Sequence, residues 1–144
     1  MSHNVQFEGE CEITSLKTLE RALRLATDGK MRVDETQKQN RRYGNVSDPC
    51  DAAIVWNREL SEEEKQKYWE VGLRFDGNKY SVYADDYNGK NNPLFQMIGK
   101  KCELLFNCYK AVVQMDVAEV QGDQILDFQI NPETNDVEML VEVR

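Results

Sequence analysis

The sequence has a single histidine, His3, among its 144 residues. Catalytic triads and Cys-His pairs need an imidazole, and a histidine-rich zinc site needs several. The chain also lacks a C-x-x-C pair, a P-loop, a dinucleotide-binding fingerprint and a nucleophile elbow. We therefore predict no catalytic residue and no cofactor, and we interpret His3 as an exposed or packing side chain.

Basic residues are scarce relative to acidic ones, with 18 Lys and Arg against 26 Asp and Glu and a net charge of −8. Phosphate affinity comes from clustered cations, so this balance argues against direct nucleic-acid binding. No run approaches the ~20 apolar residues that span a bilayer, and residues 1–10 are polar and acidic, unlike a signal peptide. We expect no membrane association and an intracellular location, in a cytoplasm, a plastid stroma or a host cytoplasm.

The four cysteines are expected to be free thiols, because an intracellular chain of this length does not need disulfides. Cys11 and Cys102 lie on apolar faces and are predicted to pack in the core. Cys50 follows Pro49 in a predicted loop and is the candidate for an exposed thiol.

The length and the spacing of apolar residues predict one α+β domain over residues 1–144. We expect a mostly antiparallel sheet with two main helices packed on one face. A polar insertion is predicted around residues 57–70, and residues 33–46 carry a thin signal for a ribbon. Alternation, a short apolar run at residues 52–56 and the turn signal at residues 76–78 together predict strands at residues 5–13, 52–56, 71–75, 79–84, 125–130 and 137–143. Three-and-four spacing predicts helices at residues 16–27 and 94–120.

Several segments carry a family resemblance. Met1-Ser2-His3 stands directly before the first strand, and LKTLERAL (16–23), DAAIVWN (51–57), KYSVYAD (79–85) and YKAV (109–112) follow in order. In these the chain resembles the hypothetical chloroplast reading-frame 35 family, small uncharacterised proteins of plastids, cyanobacteria and other bacteria. It departs from the family at residues 58–70 and in its more acidic closing hairpin. The resemblance implies an intracellular α+β protein and carries over no activity or catalytic residue.

Two segments contain candidate partner-binding residues. Arg41 and Arg42, followed by Tyr43, form the cationic cluster, and paired guanidinium groups suit a phosphate or an acidic partner. The alternative is a solvated basic patch. Tyr68 and Trp69 stand in the charged insertion, where an aromatic pair must either fold back on the core or meet a partner.

Acidic side chains gather in two places, the outward face of the first predicted strand and the last hairpin. If the two patches are contiguous, they favour mimicry of nucleic acid, because carboxylates would then occupy a basic groove. If positive charges interrupt them, mimicry is disfavoured. The residues concerned are Glu8, Glu10 and Glu12 in the first place, and Glu133, Asp136, Glu138 and Glu142 in the second.

Asp85 and Asp86 follow a predicted strand and precede a loop rich in Gly and Asn. Paired carboxylates at a strand end can hold Mg²⁺ or act as acid and base, so these two are candidate metal ligands. The alternative is a solvated turn.

The leading hypothesis is a non-enzymatic, intracellular interaction module or accessory subunit with a protein partner, for which a basic protein is one candidate. A second hypothesis is an acidic inhibitor that mimics nucleic acid, such as a phage counter-defence protein. A third is a small ligand-binding or metal-dependent enzyme domain that uses Asp85, Asp86 and the loop containing Arg41 and Arg42. The sequence does not fix the oligomeric state, although the last predicted strand would offer an unpaired edge.

Overall fold

The computed structural model describes residues 4–143, so the interpretation of His3 lies outside the described residues. Five strands form an antiparallel sheet in the order β1-β7-β6-β5-β2, and two further strand pairs, β3-β4 and β8-β9, stand apart from it. Within residues 4–143 the three α-helices are α1 (Leu16–Thr27), α2 (Pro93–Ile98) and α3 (Glu103–Val120). The strands are β1 (Asn4–Phe7), β2 (Met31–Asp34), β3 (Gln39–Arg42), β4 (Val46–Pro49), β5 (Ala52–Trp56), β6 (Val71–Phe75), β7 (Tyr80–Asp85), β8 (Gln124–Ile130) and β9 (Val137–Glu142). This arrangement confirms the predicted α+β class with a mostly antiparallel sheet.

Helix α1 forms where the sequence predicts it, because local signals define both of its ends. The Ser15 side chain accepts a hydrogen bond from the Thr18 backbone N–H, which caps the first turn. Asp28 then takes a left-handed conformation, and its N–H returns to the Arg24 carbonyl. Leu19 and Leu23 are fully buried on one side of the helix, which packs it against the core.

The first strand is shorter than predicted. It ends at Phe7, and after it only Ile13 returns to the sheet, in an isolated bridge with Tyr80. Between them the chain passes tightly over α3, since a Cβ on Gly9 would lie 2.5 Å from Phe106 Cγ. The predicted strand over residues 5–13 is therefore wrong beyond Phe7, because a contact with a distant helix replaces sheet pairing.

The predicted helix over residues 94–120 is two helices. Gly99 (φ +89°) ends α2, and Lys101 and Cys102 adopt left-handed conformations before α3 begins. A Cβ on Gly99 would lie 2.6 Å from the Leu104 backbone nitrogen, so the turn needs glycine for space as well as for conformation. The apolar spacing continues across this break because Cys102 remains buried beneath it.

The two faces of the sheet are covered differently. Ile54, Leu73 and Val82 point into the main core with the buried residues of α1 and α3. On the opposite face, the β3-β4 ribbon covers β5 and β6, and its Asn40 lies directly over Gly72. Cys50 is buried there with Ala53 and Val55 in a small second cluster.

Cys50 is therefore not an exposed thiol. Burial raises the pKa of its thiol, and its Sγ faces the Gln37 carbonyl oxygen at 3.7 Å. Cys102 is buried as predicted, whereas Cys11 is only partly buried against the core. Of the described part of the chain, no helix combines the length and the apolar character needed to cross a membrane.

Gly72→Ala should destabilise the fold by about 1–3 kcal/mol, because the new methyl group would overlap the buried Asn40 amide. The loss should appear as a lower urea midpoint. The matched control is the double variant Gly72→Ala/Asn40→Ala, which removes the obstacle. Since the Asn40 amide finds no hydrogen-bond partner among residues 4–143, the double variant should recover most of the midpoint, and equal loss in both variants would contradict this account.

Candidate functional site

Arg41, a candidate partner contact, is occupied inside the protein. Its Nε donates to the Lys65 carbonyl at 3.1 Å, and its Nη2 donates to the Tyr68 carbonyl at 2.7 Å. Its Nη1 lies 3.4 Å from the buried Glu70 carboxylate. The side chain thus fastens the β3-β4 ribbon to the segment formed by residues 57–70, and little of its donor capacity remains for a partner.

Arg42 is likewise engaged, and it meets Asp85. Its Nε donates to Asp48 Oδ2 at 2.6 Å, and its Nη1 lies 3.8 Å from Asp85 Oδ2. Asp85 is fully buried and accepts backbone N–H bonds from Tyr43 at 3.2 Å and Tyr87 at 2.9 Å. The carboxylate therefore joins the ribbon to the loop after β7, which is a structural task.

The metal hypothesis for Asp85 and Asp86 gains no support from this geometry. Asp85 is surrounded by donors from the protein itself. Within residues 4–143, no group of three or more His, Cys, Asp or Glu side chains is placed to hold a metal ion.

The aromatic candidates form a stack against the ribbon. Trp69 is 2% exposed and folds back into the protein, the first of the two alternatives that the sequence leaves open. Its ring meets that of Tyr43 edge-on, with the ring centroids 5.7 Å apart, and the ring centroids of Tyr43 and Tyr87 are 4.1 Å apart. Tyr68 is half-buried and packs on Trp56. The structure thus brings all five candidate residues together, but only Tyr43, at 41% exposure, presents a large apolar surface to solvent.

The acidic residues near the N-terminus do not form the predicted patch. The chain leaves the strand conformation at Glu8, so no strand face aligns the three carboxylates. Glu10 accepts a 2.8 Å bond from Lys110, which lowers the pKa of its carboxyl, and Glu12 lies 3.4 Å from Lys79. Lysines therefore interrupt this cluster, the outcome that disfavours mimicry of nucleic acid.

The last hairpin differs from the acidic residues near the N-terminus, because its two strands separate an inner, packed face from an outer, acidic face. We call β8, β9 and the connecting residues 131–136 the acidic hairpin. Its inner side chains, among them Phe128 and Met139, pack against the core, and Asn107 on α3 donates to the Asn135 carbonyl at 2.8 Å. Its outer face carries Glu138, Leu140 and Glu142, which alternate with the inner residues along β9.

The net negative charge of the molecule is concentrated in residues 111–143, which include the second half of α3 and the acidic hairpin. Residues 111–143 contain eight Asp or Glu and no Lys, Arg or His, whereas residues 1–110 contain 18 acidic and 17 basic residues. Asp116 and Glu119 pair with Arg21 on α1. None of the carboxylates of the hairpin forms an ion pair with a described residue. These carboxylates belong to Asp127, Glu133, Asp136, Glu138 and Glu142.

Exposed apolar side chains collect in the same region. A bulge between Ile125 and Asp127 leaves Leu126 exposed, and Leu140 on the neighbouring strand is 59% exposed. Nine large apolar or aromatic side chains are exposed among residues 4–143, and six of them lie between residues 113 and 143. These six are Val113, Val117 and Val120 on α3, and Leu126, Leu140 and Val143 on or beside the hairpin.

Comparison of the chain with protein-family models, with curated proteins and with solved structures finds no match in any of the three. The resemblance to the chloroplast reading-frame 35 family therefore stays a prediction.

Proposed function

We propose that this protein is a non-enzymatic interaction module or accessory subunit, and that it binds a basic protein partner through the acidic hairpin. One observation carries the proposal. The hairpin combines exposed leucines with carboxylates that have no ion-pair partner among the described residues, on a chain whose first 110 residues carry a net charge of only −1.

Each component supplies a different part of the binding free energy. Carboxylates that have no cation beside them among residues 4–143 attract Lys and Arg on a partner without first having to release a cation of that part of the chain. The leucines add apolar area, which supports the centre of an interface, where charge is depleted. Leu140 stands between Glu138 and Glu142 on one strand face, so apolar contact and charge contact fall within a single small surface.

The surface around Arg41, Arg42 and Trp69, predicted from the sequence as a partner contact, supports binding less well than the hairpin does. Arg41 and Arg42 donate to groups within the protein, and Trp69 is buried. A partner could reach these side chains only by breaking contacts that hold the ribbon in place. The enzyme hypothesis has no stronger basis, because Asp85 is buried under the same contacts.

Mimicry of nucleic acid remains a second candidate, favoured by the uninterrupted carboxylates of the hairpin alone. It proposes the same surface and a narrower class of basic partner, one that also binds nucleic acid. Competition separates the two candidates, because an excess of duplex DNA or RNA should release a partner held by mimicry and leave any other basic partner bound.

Affinity capture from the native cell, followed by mass spectrometry, tests the proposal. The test variant is Glu138→Lys/Glu142→Lys, and the matched control is Glu62→Lys/Glu63→Lys, which makes the same change in net charge on exposed residues of the 57–70 segment. We expect the hairpin variant to retain about tenfold less partner, the control to retain the wild-type amount, and added salt to weaken capture. Equal retention by the two variants would overturn the proposal.

A further inference from the structure

Among the residues that the structure describes, no strand lies beside one edge of β9. It pairs with β8 on one side only, and these two strands form their own sheet within residues 4–143. The backbone N–H and C=O groups along an unpaired edge are available to another extended chain. With six residues, β9 is long enough to pair with another extended chain.

A groove of about 660 Å³ runs beside this edge. One wall is the inward side of β9, with Met139 at its middle, and the other is α3, with Ala111 at the floor and Gln114 on the rim. A strand edge next to a helix is a recurrent way to bind an extended peptide, since the edge supplies main-chain hydrogen bonds and the groove takes alternate side chains.

The charges around the groove define the chemistry of its occupant. Glu10, Glu103 and Asp136 line it with one lysine, Lys110, which is already paired with Glu10. On the outer face, an added strand would place its side chains beside those of β9. The outer residues of β9 read Glu138, Leu140, Glu142, which calls for a basic, an apolar and a basic side chain at alternate positions.

We infer that β9 takes up an extended basic segment of a partner protein as a third strand, in the groove between β9 and α3. This inference rests on the proposed function and specifies how the partner binds. The segment has the alternating pattern Lys/Arg-x-apolar-x-Lys/Arg, with small or apolar residues at the x positions facing Ala111 and Met139.

A second copy of this chain fits the same edge poorly. Pairing two β9 strands would bring Glu138 and Glu142 of one copy close to the same carboxylates of the other, and like charges across a strand pair are destabilising. Formation of a dimer through this edge is thus an outcome that would contradict the inference.

The test uses the full chain and two fluorescein-labelled peptides, one containing Lys-Val-Leu-Val-Lys and the other Glu-Val-Leu-Val-Glu. Fluorescence anisotropy should show binding of the lysine peptide alone, and hydrogen exchange should slow at the backbone amides of β9. Gln114→Trp fills the groove and should weaken binding about tenfold, while Gln121→Trp, exposed at the end of α3 outside the groove, should bind as wild type.

The possible failures are distinguishable. No binding of the lysine peptide, unchanged exchange in β9, equal binding by the two tryptophan variants, or a dimer abolished by Gln114→Trp would each overturn the groove inference. If Glu138→Lys/Glu142→Lys still loses the cellular partner in that case, the proposed function stands without it. If the partner is indifferent to the hairpin variant as well, both proposals fail.

Discussion

Trp69→Ala is expected to destabilise the protein by about 3–5 kcal/mol, because it empties a large buried site. The indole is 2% exposed, and its Nε1 donates to the Gln66 carbonyl at 3.1 Å. Its ring also supports Tyr43, so the loss should loosen the end of the ribbon. Chemical denaturation followed by circular dichroism measures the change.

The control for Trp69 is Tyr43→Ala. Tyr43 belongs to the same stack but is 41% exposed, so its removal should cost clearly less. A Trp69→Ala protein that unfolds at the wild-type denaturant concentration yet loses its cellular partner would contradict this prediction and would place Trp69 in an interface.

Asp85→Ala is the second change with a large expected effect, about 3–5 kcal/mol. It would leave the Arg42 guanidinium with one carboxylate partner instead of two. It would also remove the acceptor of the backbone N–H groups of Tyr43 and Tyr87. Both the ribbon and the loop after β7 should lose protection, which amide hydrogen exchange would localise.

Asp85→Asn is the matched variant, because it keeps an oxygen acceptor and the side-chain shape while removing the charge. It should cost less than Asp85→Ala. If both variants are as stable as the wild type, the buried carboxylate does not hold the ribbon, and a functional role for Asp85 would regain priority.

The sequence predicts those elements whose signals are local. Ser15 and Gly29 mark the ends of α1, and the five apolar residues of β5 give a central strand that is buried throughout. The turn at Asp76-Gly77-Asn78 correctly joins β6 to β7. In each case the decisive information lies within a few residues of the element.

The errors arise where distant parts of the chain meet. The alternating pattern continues to Ile13, but Gly9 lies against Phe106 and leaves the sheet. The apolar spacing from Leu94 onwards continues through Gly99, because the residues on both sides of the break still pack in one core. The spacing of apolar residues indicates which side chains are buried, but it does not indicate where the backbone bends.

The candidate sites show the same limit. Whether Trp69 folds back depends on the ribbon that Arg41 fastens over it, and the sequence does not reveal that contact. The strongest feature of the hairpin was nevertheless readable, since after Lys110 no further cation occurs until Arg144. The sequence alone shows the acidic residues of the last hairpin as a patch, and a running sum of charge along the chain would add that no cation balances them between residues 111 and 143.

The division of charge also makes the molecule an electric dipole. The first 110 residues carry a net charge of −1, and nearly all the remaining negative charge lies in the second half of α3 and in the acidic hairpin. In the field of a positively charged body, such a molecule rotates as it diffuses, so that the hairpin arrives first. The orientational search that ordinarily slows protein association is thereby shortened before any contact forms, and association should slow as salt screens the field.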